Sequence, residues 1–300
     1  YRIVDRTVTV KMTFDMVSTR TFDVQGVADN VTAEEGFRKD KVTANPGKLE
    51  ISGPQSEISL IDRCAVEYNE TLVATDTIVR DGRLVFYDQN GNPLNEEEQL
   101  PHVTYPEEDF SVTISILMMK TVPVKVNFLN DNGKAADLKY TLSAEEIAIA
   151  GSKGIVEGIE DVTIGPIDFA SIEAGAVFSY DVILDAGVYN EDNIDVITVT
   201  IDPSAYSETT LDIEKDHILV RNQPVDLDVS ITSNGINNVT LVGDTEDISL
   251  LASKELYAYV DLRNLQEGTV SLPVTIYSTG DKYVWAVGEY YVTVKATAKE

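Results

Sequence analysis

The sequence predicts an all-β protein: three small twisted β-domains in tandem, forming an elongated array, each with at most a short helical turn. Three observations support this fold class. Apolar and polar residues alternate along many segments, Asn-Gly pairs stand between several of them, and a strand–glycine–turn pattern occurs three times. Alternation of period two indicates strands, and self-similarity at a fixed spacing indicates a repeat architecture.

The first observation is the alternation itself. A strand with one buried face carries apolar residues at every second position, and β-branched residues favour this conformation. Six segments of the chain have this pattern. Their apolar positions are Val8, Val10, Met12 and Phe14; Val112, Ile114 and Ile116; Val122, Val124, Val126 and Phe128; Ile197, Val199 and Ile201; Val225, Leu227, Val229 and Ile231; and Tyr290, Val292 and Val294.

The second observation concerns turns. Tight hairpins favour Asn-Gly because both central residues need a positive φ. Such pairs occur in Asp88-Gln89-Asn90-Gly91-Asn92, in Asn130-Asp131-Asn132-Gly133 and in Ser233-Asn234-Gly235. Each of these stretches is expected to form a tight hairpin between two strands.

The third observation is the repeat, which is centred on Gly53, Gly151 and Gly243. In each copy apolar residues stand four and two positions before the glycine, and five and eight positions after it. This spacing predicts a strand, then the glycine, then one helical turn packed on a core. The glycine is expected where the backbone needs a positive φ or a close approach. The residues two before the glycines, which are Ile51, Ile149 and Leu241, are expected to be buried, and polar residues after the glycine are expected to cap the turn.

The repeat divides the chain into domains 1–120, 121–204 and 205–300. Each domain has about the size of a small unit with its own modest core. The junctions at Met119-Lys120-Thr121 and Asp202-Pro203-Ser204 are short and contain no Gly/Ser-rich run, which predicts a stiff rod.

Composition excludes some classes of function. The 300 residues include 51 acids and 23 bases, which gives a net charge of −28. Such a chain is repelled by phosphate, so nucleic-acid binding and electrostatic docking on an anionic membrane are not expected. No apolar stretch reaches the roughly 20 residues of a transmembrane helix.

Catalytic, cofactor and metal residues are not predicted. Cys64 is expected to be a buried structural thiol, His102 to lie in a loop, and His217 to flank a strand at residues 218–220. No phosphate-binding motif occurs, and the glycine-rich stretch from Gly151 to Gly154 is interpreted as a loop variation of the repeat.

The acidic runs are interpreted as solvated faces. The runs Glu96-Glu97-Glu98 and Glu107-Glu108-Asp109, and the stretch after Asp88, lack the spacing of a helix–loop–helix calcium site, which leaves weak calcium binding as the alternative. Asp168 and Asp261 recur at matching positions of the repeat and are expected to form caps or turns.

The repeat resembles the YbbR domain family. The resemblance is carried by the three strand–glycine–turn cores, the Val122-Pro123-Val124 opening, the Gly165-Pro166-Ile167-Asp168 segment and the terminal strand from Tyr290 to Val294, and it covers essentially the whole chain. Two departures stand out. Ser152 occupies the position of a usual proline, and the first copy differs from the others around residues 65–69.

This resemblance implies a function. YbbR-like proteins of Gram-positive bacteria are typically anchored by one amino-terminal membrane helix, with several such domains outside the membrane, and in several lineages they regulate the membrane-bound diadenylate cyclase that makes cyclic di-AMP. The chain is therefore expected to be a non-enzymatic, extracytoplasmic interaction protein whose partner is that cyclase and whose anchor would precede Tyr1. The alternative is a structural or adhesive cell-surface β-domain array.

Overall fold

The computed structural model describes residues 14–106, 109–280 and 282–299. Within these ranges the chain forms 22 β-strands, four α-helices and four turns of 3-10 helix. None of the α-helices exceeds five residues. The prediction of an all-β fold with short helical turns is confirmed. The alternating residues from Val8 to Met12 lie outside the described residues, and Phe14 is exposed and outside any strand.

The strands of the first half of the chain begin at residue 17. They are β1 (Val17–Val27), β2 (Val31–Ala33), β3 (Phe37–Pro54), β4 (Arg63–Glu67), β5 (Leu72–Ala74), β6 (Ile78–Asp81), β7 (Arg83–Tyr87), β8 (Ser111–Leu129), β9 (Tyr140–Leu142) and β10 (Glu146–Gly151). The helices here are α1 (Gln55–Ile58) and α2 (Glu96–Gln99), followed by a 3-10 turn at Ala135–Asp137.

The second half continues with short strands. They are β11 (Val162–Asp168), β12 (Val177–Asp181), β13 (Val188–Asn190), β14 (Val196–Ile201), β15 (Tyr206–Glu214), β16 (Ile218–Arg221), β17 (Leu227–Ile231), β18 (Gly235–Asp244), β19 (Leu256–Asp261), β20 (Gly268–Ser278), β21 (Val284–Val287) and β22 (Tyr290–Ala298). The helices are α3 (Lys153–Val156) and α4 (Thr245–Ser249), with 3-10 turns at Phe169–Ser171, Lys215–His217 and Ser253–Glu255.

The chain divides into two compact units. The first contains the described residues up to Thr121 together with Ala148–Ile159 and Asp185–Glu191. The second contains Val122–Ile147, Glu160–Leu184 and the described residues from Asp192 onward. The first expected junction, at residues 119–121, lies inside the continuous strand β8, so no linker exists there. The division into domains 1–120, 121–204 and 205–300 stays a prediction.

The first unit is built around β1. This strand pairs antiparallel with β3 and parallel with β4, and β4 pairs antiparallel with β7. The first part of β8 pairs with β3 and β6, while β2 pairs with β5 and β10 pairs with β13. The alternating residues Val112, Ile114 and Ile116 all point into the core, beside Leu49, Ile51 and Phe86.

The second unit contains several smaller sheets. The last part of β8 pairs parallel with β11, and β12, β14 and β9 form a three-stranded antiparallel sheet. β15, β18 and β21 form another sheet, and a five-stranded sheet has the order β16-β19-β20-β22-β17. A hydrophobic core lies between these last two sheets and includes Val239, Leu241, Leu256 and Val294.

Aromatic rings pack around the second expected junction, at residues 202–204, within the second unit. Phe169 contacts Trp285 edge-to-face at 5.4 Å between ring centroids, and Trp285 contacts Tyr206 in the same way at 5.2 Å. Trp285 Nε1 donates to Ile172 O at 2.9 Å, and Lys139 N donates to Tyr206 Oη at 2.7 Å. These contacts tie residues on the two sides of the junction together.

The repeat glycines are required by close packing. In each copy the strand before the glycine ends at a one-turn helix, which is α1, α3 or α4, as predicted. None of the three glycines has a positive φ. A Cβ on Gly53 would lie 3.1 Å from His102 O, and one on Gly151 would lie 2.8 Å from Gly187 O. A Cβ on Gly243 would meet Tyr283 O. A crossing segment therefore approaches each glycine through a carbonyl oxygen.

The other predictions for the repeat have mixed outcomes. Ile51, Ile149 and Leu241 are all buried, as predicted. Asp244 caps α4 by accepting from Glu246 N, whereas the residues before α1 and α3, Pro54 and Ser152, make no such bond. In α1, Ser56 N donates instead to Asp15 Oδ2 at 3.1 Å. The expected cap residues Asp168 and Asp261 each accept from the backbone N–H two residues on, at 2.9 Å, which confirms that prediction.

The turn predictions were partly wrong. The stretch after Asp88 is a tight turn in which Asp88 Oδ1 accepts from Asn90 N and Asn92 N. The other two Asn-Gly stretches also turn the chain, but the strands that flank them pair with different partners. β8 and β9 do not pair with each other, nor do β17 and β18. Turn residues fix the local backbone, but the hydrogen-bonding partner of a strand depends on the whole sheet.

Candidate interaction surface

The side chains that could carry nucleophilic or acid–base chemistry each have their own surroundings, Cys64 and His102 in the first unit and His217 in the second. Cys64 is fully buried in the core of the first unit, and this burial raises the pKa of its thiol to about 11. His102 is exposed in a turn, where its Nδ1 lies 2.8 Å from Glu57 Oε1. His217 stacks on the ring of Tyr257 next to β16. These positions agree with the predicted buried thiol, loop histidine and strand-flanking histidine.

The acidic runs form local contacts. Glu96 accepts from Tyr105 Oη at 3.0 Å near the start of α2, and Asp88 is used in its own turn. Glu107 and Glu108 lie outside the described residues. In the part of the chain that the structure describes, no group of three or more acidic, histidine or cysteine side chains could hold a metal ion. Gly154 of the glycine-rich stretch lies within the one-turn helix α3.

The strongest charge feature is a long stretch without bases. Residues 154–214 contain 14 acids and no lysine, arginine or histidine, which accounts for half of the net charge in about a fifth of the chain. Reasoning from motifs missed this stretch, although a count of charges along the sequence would have found it. In the second unit it forms β11, β12, β14 and β15.

The sheet β12-β14-β9 gives this stretch an ordered surface. Ile197, Val199 and Ile201 of β14 are fully buried, so the alternate residues of that strand lie on the opposite, outer face. The register pairs Val177 with Thr200, Ser179 with Thr198 and Asp181 with Val196. The outer face therefore carries valine, threonine and serine side chains along two strands. We call it the base-free face, defined by Val177, Ser179, Asp181, Val196, Thr198 and Thr200.

Apolar residues are exposed on and beside this face. Val177 of β12 is 60% exposed and Val196 of β14 is 47% exposed, while Ile183, which follows β12, is 84% exposed. By the register, Val196 and Ile183 lie at one end of the face and Val177 at the other, so the face presents apolar side chains at both ends. Exposed apolar residues on an ordered sheet are typical of interaction sites. The face is flat and made mostly of short side chains, which lose little entropy on contact.

Carboxylates surround the apolar residues. Asp181, Glu173 and Asp195 are exposed near the ends of β12 and β14. At the end of β14, Asp202 accepts hydrogen bonds from Ser204 Oγ and Ser204 N, and these lower the pKa of its carboxyl group. Lys139 precedes β9, on the opposite side of the sheet from β12. The arrangement can bind a protein surface that presents apolar residues within a basic rim.

No helix in the described part of the chain is both long and apolar enough to cross a membrane. The expected extracytoplasmic location and the anchor before Tyr1 stay predictions.

Comparisons with known proteins identify two similar solved structures. No family model matches the chain, and no curated protein is similar to it. The YbbR-like domain of a Listeria monocytogenes protein matches with 18% identity and a TM-score of 0.24, over 31% of this chain and 96% of that one. A YbbR-like protein from Streptococcus pneumoniae matches with 16% identity and a TM-score of 0.26, over 61% of this chain and 96% of that one. Both matched structures carry the name of the family that the repeat residues indicated.

Proposed function

We propose that this chain is a non-enzymatic interaction protein, the extracytoplasmic part of a membrane-anchored YbbR-like regulator of a membrane-bound diadenylate cyclase. The observation that carries the proposal is the base-free face, on which exposed valines stand among carboxylates. Contact through this face modulates the partner, and no chemistry on a substrate is needed. Cys64 is buried in the core, and His102 and His217 make local contacts with Glu57 and Tyr257, so the proposal assigns no catalytic role to them.

Charge determines which partner fits the face. A basic surface is attracted by the carboxylates, while an acidic surface is repelled over the same distance. At physiological ionic strength the screening length is about 8 Å, so only charges at the rim of the contact contribute strongly. Binding is therefore expected to weaken as salt is added, with most of the change in the association rate.

The first experiment measures cyclic di-AMP in cells that contain the cyclase, with and without the full-length anchored protein. The expected result is a difference in the cyclic di-AMP level. If the level is the same under every growth condition, the regulatory role is wrong, and a structural or adhesive cell-surface array becomes the better explanation.

A second experiment tests the face itself. The double substitution Asp181→Lys and Asp195→Lys reverses two rim charges without changing a buried residue. It is expected to remove the effect on cyclic di-AMP. The matched control is Glu97→Lys with Glu98→Lys, which reverses two exposed charges on α2 in the first unit. If both double variants retain the full effect, or if both lose it equally, the base-free face is not the contact surface.

A further inference from the structure

A cleft in the second unit lies beside β20, near the residue at which β22 begins. β20 pairs with β22 from Gly268 to Val274, and from Val274 to Ser278 it pairs with β19. β22 begins at Tyr290, opposite Val274, so beyond that residue β20 has no partner on this side from β22. The opening has a volume of about 660 Å³, which is within the range of pockets that hold small molecules. We call it the tyrosine cleft, because Tyr277, Tyr290 and Tyr291 line it.

The aromatic residues of the cleft are held firmly, and two of them have their polar atoms satisfied inside the protein. Tyr290 Oη donates to Val287 O at 2.7 Å and accepts from Thr240 N at 2.8 Å. Trp285 Nε1 donates to Ile172 O. Tyr291 is half exposed, and its hydroxyl donates to Glu289 at 2.7 Å. Tyr290 packs against the core and Trp285 is 6% exposed, so the ring faces open to a ligand are those of Tyr291 and Tyr277, on the outer face of the sheet. Such faces favour contact with C–H groups.

Polar groups of the turn at Asn130 also line the cleft, and Asn132 Oδ1 lies 3.5 Å from Tyr277 Oη. Asn130 and Asn132 both adopt left-handed backbone conformations, with φ of 55° and 49°, which asparagine tolerates better than most residues. Asn130 Nδ2 donates to Asp168 Oδ2 at 2.7 Å, and Asp168 Oδ1 accepts from Ala170 N. The pair is fixed before a ligand arrives. The amide oxygen of Asn130 and the second lone pairs of the carboxylate stay available to hydrogen-bond donors.

The charges in the cleft disfavour an anion. Lys134 Nζ donates to Lys282 O at 3.1 Å, and burial lowers the pKa of Lys134. Lys282 Nζ lies 3.0 Å from both carboxylate oxygens of Glu255. Both lysines that line the cleft are thus used by the protein, while Asp168 and Glu289 add negative charge. A phosphate or nucleotide would meet these carboxylates with no free cation among the described lining residues.

We propose that the tyrosine cleft binds a neutral oligosaccharide. A sugar ring has an apolar C–H face, which packs on a tyrosine or tryptophan ring, and hydroxyl groups that both donate and accept hydrogen bonds. Tyr277 and Tyr291 match the first feature, and the Asn130–Asp168 pair matches the second. Its volume accommodates a chain of a few sugar rings. This activity is separate from the protein contact proposed for the base-free face.

The test uses the single tryptophan of the chain as a local probe. Trp285 lines the cleft, so its fluorescence reports on a ligand that enters there. The full chain is titrated with tri-N-acetylchitotriose, cellotriose and maltotriose, and saturation-transfer NMR identifies the protons that contact the protein. At least one saccharide is expected to give saturable binding.

Two tyrosine variants form a matched pair. Tyr291→Ala removes a ring that is 51% exposed in the cleft, and it is expected to weaken saccharide binding at least tenfold. Tyr189→Ala removes a ring that is 49% exposed in the first unit, and it is expected to leave binding unchanged. Both substitutions are at the surface, and circular dichroism checks that each variant is folded.

Three outcomes would overturn the proposal. The first is that none of the three saccharides binds saturably. The second is that Tyr291→Ala and Tyr189→Ala have the same effect on binding. The third is that inorganic phosphate or AMP binds in a Tyr291-dependent manner while the saccharides do not, which would make the cleft an anion site.

Discussion

The substitutions Gly151→Ala and Gly154→Ala are expected to change stability in opposite directions, although the two glycines are three residues apart. Gly151 ends β10, and its Cα faces the backbone of the crossing segment at Gly187. Gly154 lies in α3, and a Cβ there would meet nothing within 4 Å. Neither glycine has a positive φ, so backbone strain does not distinguish them.

The magnitudes follow from these surroundings. At Gly151 the added methyl group would lie 2.8 Å from Gly187 O and 2.9 Å from Val156 Cγ2. Since one of these neighbours is backbone, β10 and β13 must move apart, and overpacking of this kind costs about 1–3 kcal/mol. At Gly154 alanine stabilises the helix and restricts the unfolded chain, which is worth about 0.5–1 kcal/mol.

The assay is urea unfolding followed by circular dichroism. With a denaturant dependence of about 2 kcal/mol per molar urea, Gly151→Ala should lower the midpoint by roughly 0.5–1.5 M and Gly154→Ala should raise it slightly. A chain with two compact units can unfold in more than one step, so hydrogen exchange on peptides that cover residues 148–159 and 185–191 serves as the local measurement.

The reasoning would be refuted by two results. One is a Gly151→Ala variant whose midpoint and local exchange match those of the unsubstituted chain. The other is a Gly154→Ala variant that is destabilised as much as Gly151→Ala, because the glycine-rich stretch would then need both glycines for a reason other than the crossing segment.

Three further predictions concern the core, the cysteine and an ion pair. Alanine substitution should lower the free energy of unfolding by about 2–5 kcal/mol at each buried position two before a repeat glycine, which are Ile51, Ile149 and Leu241. The control Leu250→Ala, at an exposed site, should change the free energy of unfolding by less than about 0.5 kcal/mol. Equal thermal midpoints for all four variants would show that the repeat alignment is wrong. Cys64, with a pKa of about 11, should react with an alkylating reagent at neutral pH only after unfolding, and rapid labelling of the folded chain would contradict its burial. Lys282 lowers the pKa of the Glu255 carboxyl group from its usual 4.5, so the ion pair stabilises the fold above that pH and stops doing so as the pH falls through the lower folded pKa. Glu255→Gln should therefore flatten the loss of thermal stability between about pH 5 and pH 3. The same loss of stability in the variant and in the unsubstituted chain over this range would refute the pairing.

The local structure of the repeat was predictable from the sequence, but the role of its glycine was not. The spacing of apolar residues around the three glycines predicted a strand, a one-turn helix and three buried side chains, and the structure contains all of them. The spacing could not show why the glycine is needed. The carbonyl oxygens of His102, Gly187 and Tyr283 come from residues 36 to 49 positions away, and no local pattern marks them.

Some features of the candidate sites were visible in the sequence and others were not. The absence of bases between residues 154 and 214 is a property of composition, and it could have been read directly. Its arrangement on β12 and β14 depends on which strands pair. The tyrosine cleft could not be predicted, because it combines the turn at Asn130 with strands more than 140 residues later.

The sequence by itself determined the all-β class, because period-two alternation is set by the geometry of a single strand. It also determined the strand–glycine–turn core and the acidic character of the surface. Only the tertiary structure decided strand partners, the continuity of β8 through an expected junction, and the packing of Trp285 against Phe169 and Tyr206. The physical reason is that an extended strand makes no hydrogen bonds within itself, so its neighbours are selected by long-range packing that local residue patterns do not encode.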